Sequence, residues 1–127
     1  MLNYSFGLLM TLWAGLCLAY DANYYAMNPK EMQKALAACP AQQPDNVSCE
    51  QLNHMATHVN DLVMELRLDP QAFGRNILAM QETIAKQIVL STKQPLTPEL
   101  QAELTKNQQA LRDRLIIIKW LESPVGY

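Results

Sequence analysis

The side chains in this sequence best suited to chemistry are two histidines and three cysteines. His54 and His58 stand four positions apart, with Glu50 one turn before them and Asp61 about one turn after. On a helix this spacing stacks two imidazoles and a carboxylate on neighbouring turns, which could offer ligands to one metal ion. It is not the metalloprotease pattern, because position 55 is Met where a glutamate base is required. The same spacing also describes a solvated polar face beside an apolar stripe. That plainer reading is the expectation, with no metal and no cofactor; His54, His58 and Asp61 are the residues a metal would use.

Other catalytic arrangements are missing. The sequence has no nucleophile elbow, no glycine-rich phosphate loop and only four glycines. A non-enzymatic domain is therefore expected. Ten Lys and Arg stand against twelve Asp and Glu over 127 residues, for a formal net charge of -2. The densest basic group, Arg112, Arg114 and Lys119, is interleaved with Asp113 and Glu122. Nucleic-acid binding requires a basic face, so it is not expected here.

Residues 1–19 read as a leader and residues 20–127 as one helical domain. Met1 to Tyr20 contains no charged side chain, and Phe6 to Tyr20 is almost wholly apolar. A run of about fifteen residues spans roughly 22 Å as a helix, short of the roughly 30 Å hydrocarbon core. That favours a secretory signal, with small residues at Cys17 and Ala19 where a signal peptidase would read. Counted from Leu2, the stretch is also long enough to be a retained anchor. Either way the domain is expected in the bacterial periplasm or on the periplasmic face of the inner membrane. Removal of the leader leaves Cys39 and Cys49, an even count, which should pair in an oxidising compartment. The alternative is two unlinked, partly buried thiols.

Four helix-start signals follow the leader. Asn28-Pro29-Lys30-Glu31 and Ser48-Cys49-Glu50-Gln51 have the form of capping boxes, while Asp69-Pro70 and Thr97-Pro98-Glu99 place a cap before proline. They predict helices near 29–38, 49–67, 70–91 and 98–121. Apolar spacing agrees. The second helix has Leu52, Met55, Val59, Leu62, Val63 and Leu66 on one face; the third has Phe73, Ile77, Met80, Ile84 and Ile88; the fourth has Leu100, Leu104, Leu111, Leu115 and Ile118. Short connections favour antiparallel neighbours, so the fold class is all-α: a small bundle of about four helices after a hydrophobic leader helix. Residues 28–39 also echo residues 69–80 in cap, proline and apolar positions, either as an old duplication or as two similar capped helices.

The last helix ends in Leu115-Ile116-Ile117-Ile118-Lys119-Trp120-Leu121, apolar on nearly every side. Such an end is either buried in the bundle or is a surface for a partner, for self-association or for a membrane face, with Ile116, Ile117 and Trp120 as the contact residues. Tyr24 and Tyr25 pose the same choice, with one expected in the core and the other at an interface.

Tyr24, Tyr25, Asn28, Pro29, Glu31, Leu36, Cys39 and Cys49 together make a segment that resembles the small entry-exclusion lipoproteins of conjugative plasmids. Members of that family follow an export signal with a tyrosine-rich start, an Asn/His-Pro pair, a helix ending in cysteine, a proline-containing loop and a second cysteine. The resemblance covers about residues 20–53. It implies an envelope protein that blocks redundant DNA uptake by engaging a component of the incoming type IV secretion machine. Leu16 stands before Cys17 where a lipid-attachment signal has a small residue, so lipidation there is not expected. From about Asp69 onward the chain has no counterpart in that family. The other functional reading is a structural subunit of a different membrane complex, anchored by an uncleaved leader; a third is a periplasmic metal binder.

Overall fold

The computed structural model describes residues 20–122. The leader assigned to residues 1–19, including Cys17, and the tail 123–127 lie outside the described residues. The regular elements are five helices: α1 (Ala22–Met27), α2 (Pro29–Ala37), α3 (Cys49–Leu68), α4 (Pro70–Lys93) and α5 (Pro98–Glu122). None is long and apolar enough to cross a membrane.

The sequence called for about four helices, and α1 is the extra one. It spans only six residues, too few for an apolar period to be visible, and it starts because the Asp21 carboxylate accepts the backbone N–H of Tyr24 at 2.8 Å. Its end changes the chemistry expected at Asn28. The Asn28 side chain makes no cap for α2; its amide donates to the Tyr24 carbonyl at 2.8 Å, and its backbone N–H closes α1 on Tyr25. Glu31, expected to close a box on Asn28, instead pairs with Lys34 at 3.4 Å. The other caps form as read. Ser48 and Gln51 exchange two hydrogen bonds at 3.0 and 2.9 Å. The Asp69 and Thr97 side chains accept from Ala72 and Leu100 at 2.9 and 3.2 Å.

Cys39 and Cys49 are joined, with S–S 2.13 Å and Cα atoms 6.0 Å apart. The bond ties the end of α2 to the first residue of α3 and closes the intervening loop, which contributes the fully buried Val47. The core gathers Met32 of α2, Leu52, Val59 and Leu62 of α3, Phe73 and Ile77 of α4 and Ile117 of α5, with Cys39 packed against it. Phe73 is 0% exposed and is the largest fully buried side chain.

α4 and α5 form a long antiparallel hairpin. Buried or half-buried positions recur at Phe73, Ile77, Met80, Ile84, Gln87 and Ser91 on α4, and at Leu100, Leu104, Asn107, Leu111, Arg114 and Ile118 on α5. Both series step by four and three, the spacing of a coiled-coil seam. Two expected stripe members are therefore displaced. Ile88 and Leu115 are exposed, and Gln87 and Arg114 take the inward positions beside them. Both side chains find a partner there, although Arg114 Nε is buried without one. Asn107 Nδ2 donates to Gln87 Oε1 at 3.2 Å, and Arg114 Nη2 donates to Glu65 Oε2 at 3.3 Å. Only the lower half of the hairpin reaches the main core; Ile84, Gln87 and Leu104 are buried where the two helices pack on each other beyond it.

The staple closes a short loop, so the chain-entropy estimate for it is about 2.5–3 kcal/mol. A Cys39→Ser/Cys49→Ser variant should lose that much stability in urea titration, and reductant should destabilise the parent protein but not the variant. Equal stability of parent and variant would show that the bond constrains nothing.

Candidate functional site

α5 turns about 100° per residue, so the three consecutive isoleucines near its end cannot share one role. Ile117 points into the core and is 1% exposed. Ile118 packs partly against the core, and Ile116 turns toward the junction of α1 and α2. Between α5 and that junction runs an apolar groove in two compartments. The first has a volume of about 270 Å³ and is floored by Met32, Met55, Val59, Leu62 and Ile117, with Ala26, Pro29 and Ile116 as its walls and His54, His58 and Asp113 also lining it. The second, about 350 Å³, lies between residues 27–31 and the end of α5, where Ile116, Lys119 and Trp120 line it. Pro29 and Ile116 border both compartments.

A polar chain starts from His58 and Asp113 in the lining of the first compartment. His58 Nε2 stands 3.1 Å from Asp113 Oδ2. Asp113 Oδ1 accepts from Arg112 Nε and Nη2 at 3.1 and 2.9 Å, and Arg112 Nη1 donates to Asn23 Oδ1. The chain thus links α3, α5 and α1. The next residue on α5, Arg114, reaches Glu65, two turns beyond His58 on α3, and its guanidinium carbon sits 5.9 Å from the centroid of Phe73. Consecutive residues of α5 thus grip α3 at two separated points.

Several of the residues picked out in the sequence converge here. His54, His58, Ile116, Ile117 and Trp120 all line the groove. Ile117 does so as floor, so it is a core residue and not part of an exposed docking surface. Tyr25 is likewise a core residue, at 5% exposed. Tyr24 is the half-exposed member of the pair; its ring stacks on Tyr20 with centroids 4.1 Å apart and meets Tyr25 edge-on at 5.6 Å. Partial loss of water, and then the neighbouring Tyr20 and Glu31, hold the Tyr24 phenol above its ordinary value.

The three weak metal candidates are not brought together. His54 leans on Glu50 at 3.8 Å, both exposed, while His58 is engaged by Asp113, and Asp61 is solvent-facing. Among the described residues no group of three or more His, Cys, Asp or Glu side chains could hold a metal ion. Asp113 is the site residue that sequence reasoning missed. Its signal was the unbroken run Arg112-Asp113-Arg114 set into an apolar helix end, where three successive charges cannot all face the same solvent.

No protein-family model, characterised protein or solved structure matches the chain. The geometry has to carry the chemistry. A groove with an apolar floor is suited to holding apolar groups.

The half-exposed His58 limits what its pair with Asp113 contributes. A double-mutant cycle of His58→Ala and Asp113→Ala should give a coupling below about 1 kcal/mol, shrinking as salt is added. A coupling well above that would mean the pair is a principal clamp on α5.

Proposed function

We propose that this chain is a non-enzymatic protein exported to the bacterial envelope, where it acts by binding another protein through the α2–α5 groove. The observation that carries the reading is the Cys39–Cys49 bond. It holds α2, one wall of the groove, against α3, and such a bond persists in an oxidising compartment and is rare in the cytosol. The apolar leader read in residues 1–19 supports the same location, the periplasm or the periplasmic face of the inner membrane. The groove offers Trp120 beside a half-exposed isoleucine and charged rims at Lys119 and Glu31, a composition suited to a peptide segment with apolar side chains.

The resemblance of residues 20–53 to entry-exclusion lipoproteins names the kind of partner. The groove lies against that same segment, since Asn28, Pro29 and Glu31 line it. We therefore propose that the partner is a component of a conjugative or related type IV secretion machine, and that engaging it excludes redundant uptake. In the part of the chain without a counterpart in that family, α5 supplies the opposite wall and so the specificity.

Recipients that make the protein should take up a matching conjugative plasmid at least about tenfold less often, and Ile116→Asp with Trp120→Ala should restore uptake while the helical content is retained. Unchanged uptake across several plasmid groups would contradict exclusion. Location is tested apart from partner, by intact mass of the protein from a bacterium with thiols alkylated before or after reduction. Alkylation of Cys39 and Cys49 only after reduction is expected; free alkylation without reduction would contradict export.

A further inference from the structure

The groove between α5 and the α1–α2 junction is walled by helices, and this restricts what can lie in it. The α5 side chains lining the first compartment are Asp113, Ile116 and Ile117; those lining the second are Ile116, Lys119 and Trp120. The second set is the first moved on by three residues, so the compartments follow each other along α5 at a step of about 4.5 Å. Side chains three apart on a helix advance by the same step. On an extended strand the nearest side chains that share a face are about 6.6 Å apart.

Backbone chemistry points the same way. An extended peptide needs partners for its N–H and C=O groups, and in recognition it takes them from the edge of a sheet. The described residues contain no strand, and the floor of the first compartment is aliphatic side chains and thioethers. A helix satisfies its own backbone and brings only side chains to such a floor. A polyproline segment docks between aromatic side chains, whereas Trp120 is the single Trp, Tyr or Phe in the lining of either compartment.

Charge distinguishes the two ends of the groove. Asp113 already has both oxygens engaged, Oδ1 by Arg112 and Oδ2 by His58. In the second compartment Glu31 pairs with Lys34 at 3.4 Å, and Lys30 and Lys119 give that end a positive surplus. The next acid on α5, Glu122, does not line it.

We infer that the groove takes an amphipathic helix of its partner, with apolar side chains three or four positions apart entering the two compartments. An Asp or Glu stands beside the side chain that enters the second. The inference rests on the groove being a protein-binding surface, and adds the conformation and charge of the segment bound there.

The test is a selection of random-sequence peptides, about fifteen residues long so that a helix can form, on the oxidised protein as the bacterial cell makes it. Parallel selections on Ile116→Asp and on Lys119→Glu identify the peptides that use the groove. Those peptides should carry apolar residues at i and i+3 or i+4 with an adjacent acid, and a synthetic copy should gain helical circular dichroism on binding. Proline at the centre of the copy should weaken it at least about tenfold. Lys119→Glu, a change at an exposed position, should weaken it about threefold. Groove-dependent peptides of alternating or proline-rich pattern, a bound copy that stays non-helical, or undiminished binding to Lys119→Glu would each overturn the inference. So would the absence of any groove-dependent peptide. If plasmid exclusion is nevertheless lost with Ile116→Asp, the helix falls and the protein-binding reading stands.

Discussion

Phe73 is the contact through which the two parts of the molecule become one. It enters from the first turn of α4, is fully buried, and is covered by the Arg114 guanidinium of α5, which is held in turn by Glu65 of α3. Three helices therefore meet at this ring. α5 bears the constraint most heavily, because one side of it must close the seam with α4 while another carries Ile117 into the core beside Met32 and Leu52. A helix with two such obligations has to be apolar over much of its circumference at that level. This is the physical reason for the unbroken isoleucine run, which from sequence alone reads equally well as a sticky end.

The staple and the groove follow from the size of the core. Among the described residues eleven hydrophobic side chains are buried, and two of these, Ile84 and Leu104, belong to the outer hairpin and not to the main cluster. A core of that size secures a nine-residue helix such as α2 weakly. The Cys39–Cys49 bond removes the freedom α2 would otherwise have, and so fixes one wall of the groove relative to α3. Function in this account rests on rigidity supplied covalently on one side of the groove and by Phe73 and Arg114 on the other.

Much of this was legible in the sequence, and the reasons differ by element. The boundaries of α3, α4 and α5 were readable because a cap or a proline marks each start. α1 was not, since a six-residue helix has no period, and Asn28 was misread because it ends one helix as it precedes the next. The apolar stripes were read one residue out at Ile88 and Leu115, where a propensity argument prefers the aliphatic side chain and a partnered Gln87 or Arg114 prevails. That outcome depends on Asn107 and Glu65, which only the fold brings near. The groove was visible in pieces: His54, His58, Ile116 and Trp120 were all singled out, but nothing in their spacing joined them. Asp113 contacts His58 across 55 positions of sequence, a pairing no local pattern encodes. The echo between residues 28–39 and 69–80 does not extend to cap chemistry, since Asp69 caps with its side chain and Asn28 does not.

The central claim is that the disulfide holds the groove wall while Phe73 and the seam hold the hairpin, as separable supports. Amide hydrogen exchange on the oxidised and the reduced protein measures this directly. The account predicts that reduction speeds exchange in α2 and in the loop to Cys49 and leaves the α4 and α5 amides around Ile77, Ile84 and Leu111 as protected as before. Unchanged protection in α2, or a uniform loss across all five helices, would contradict it.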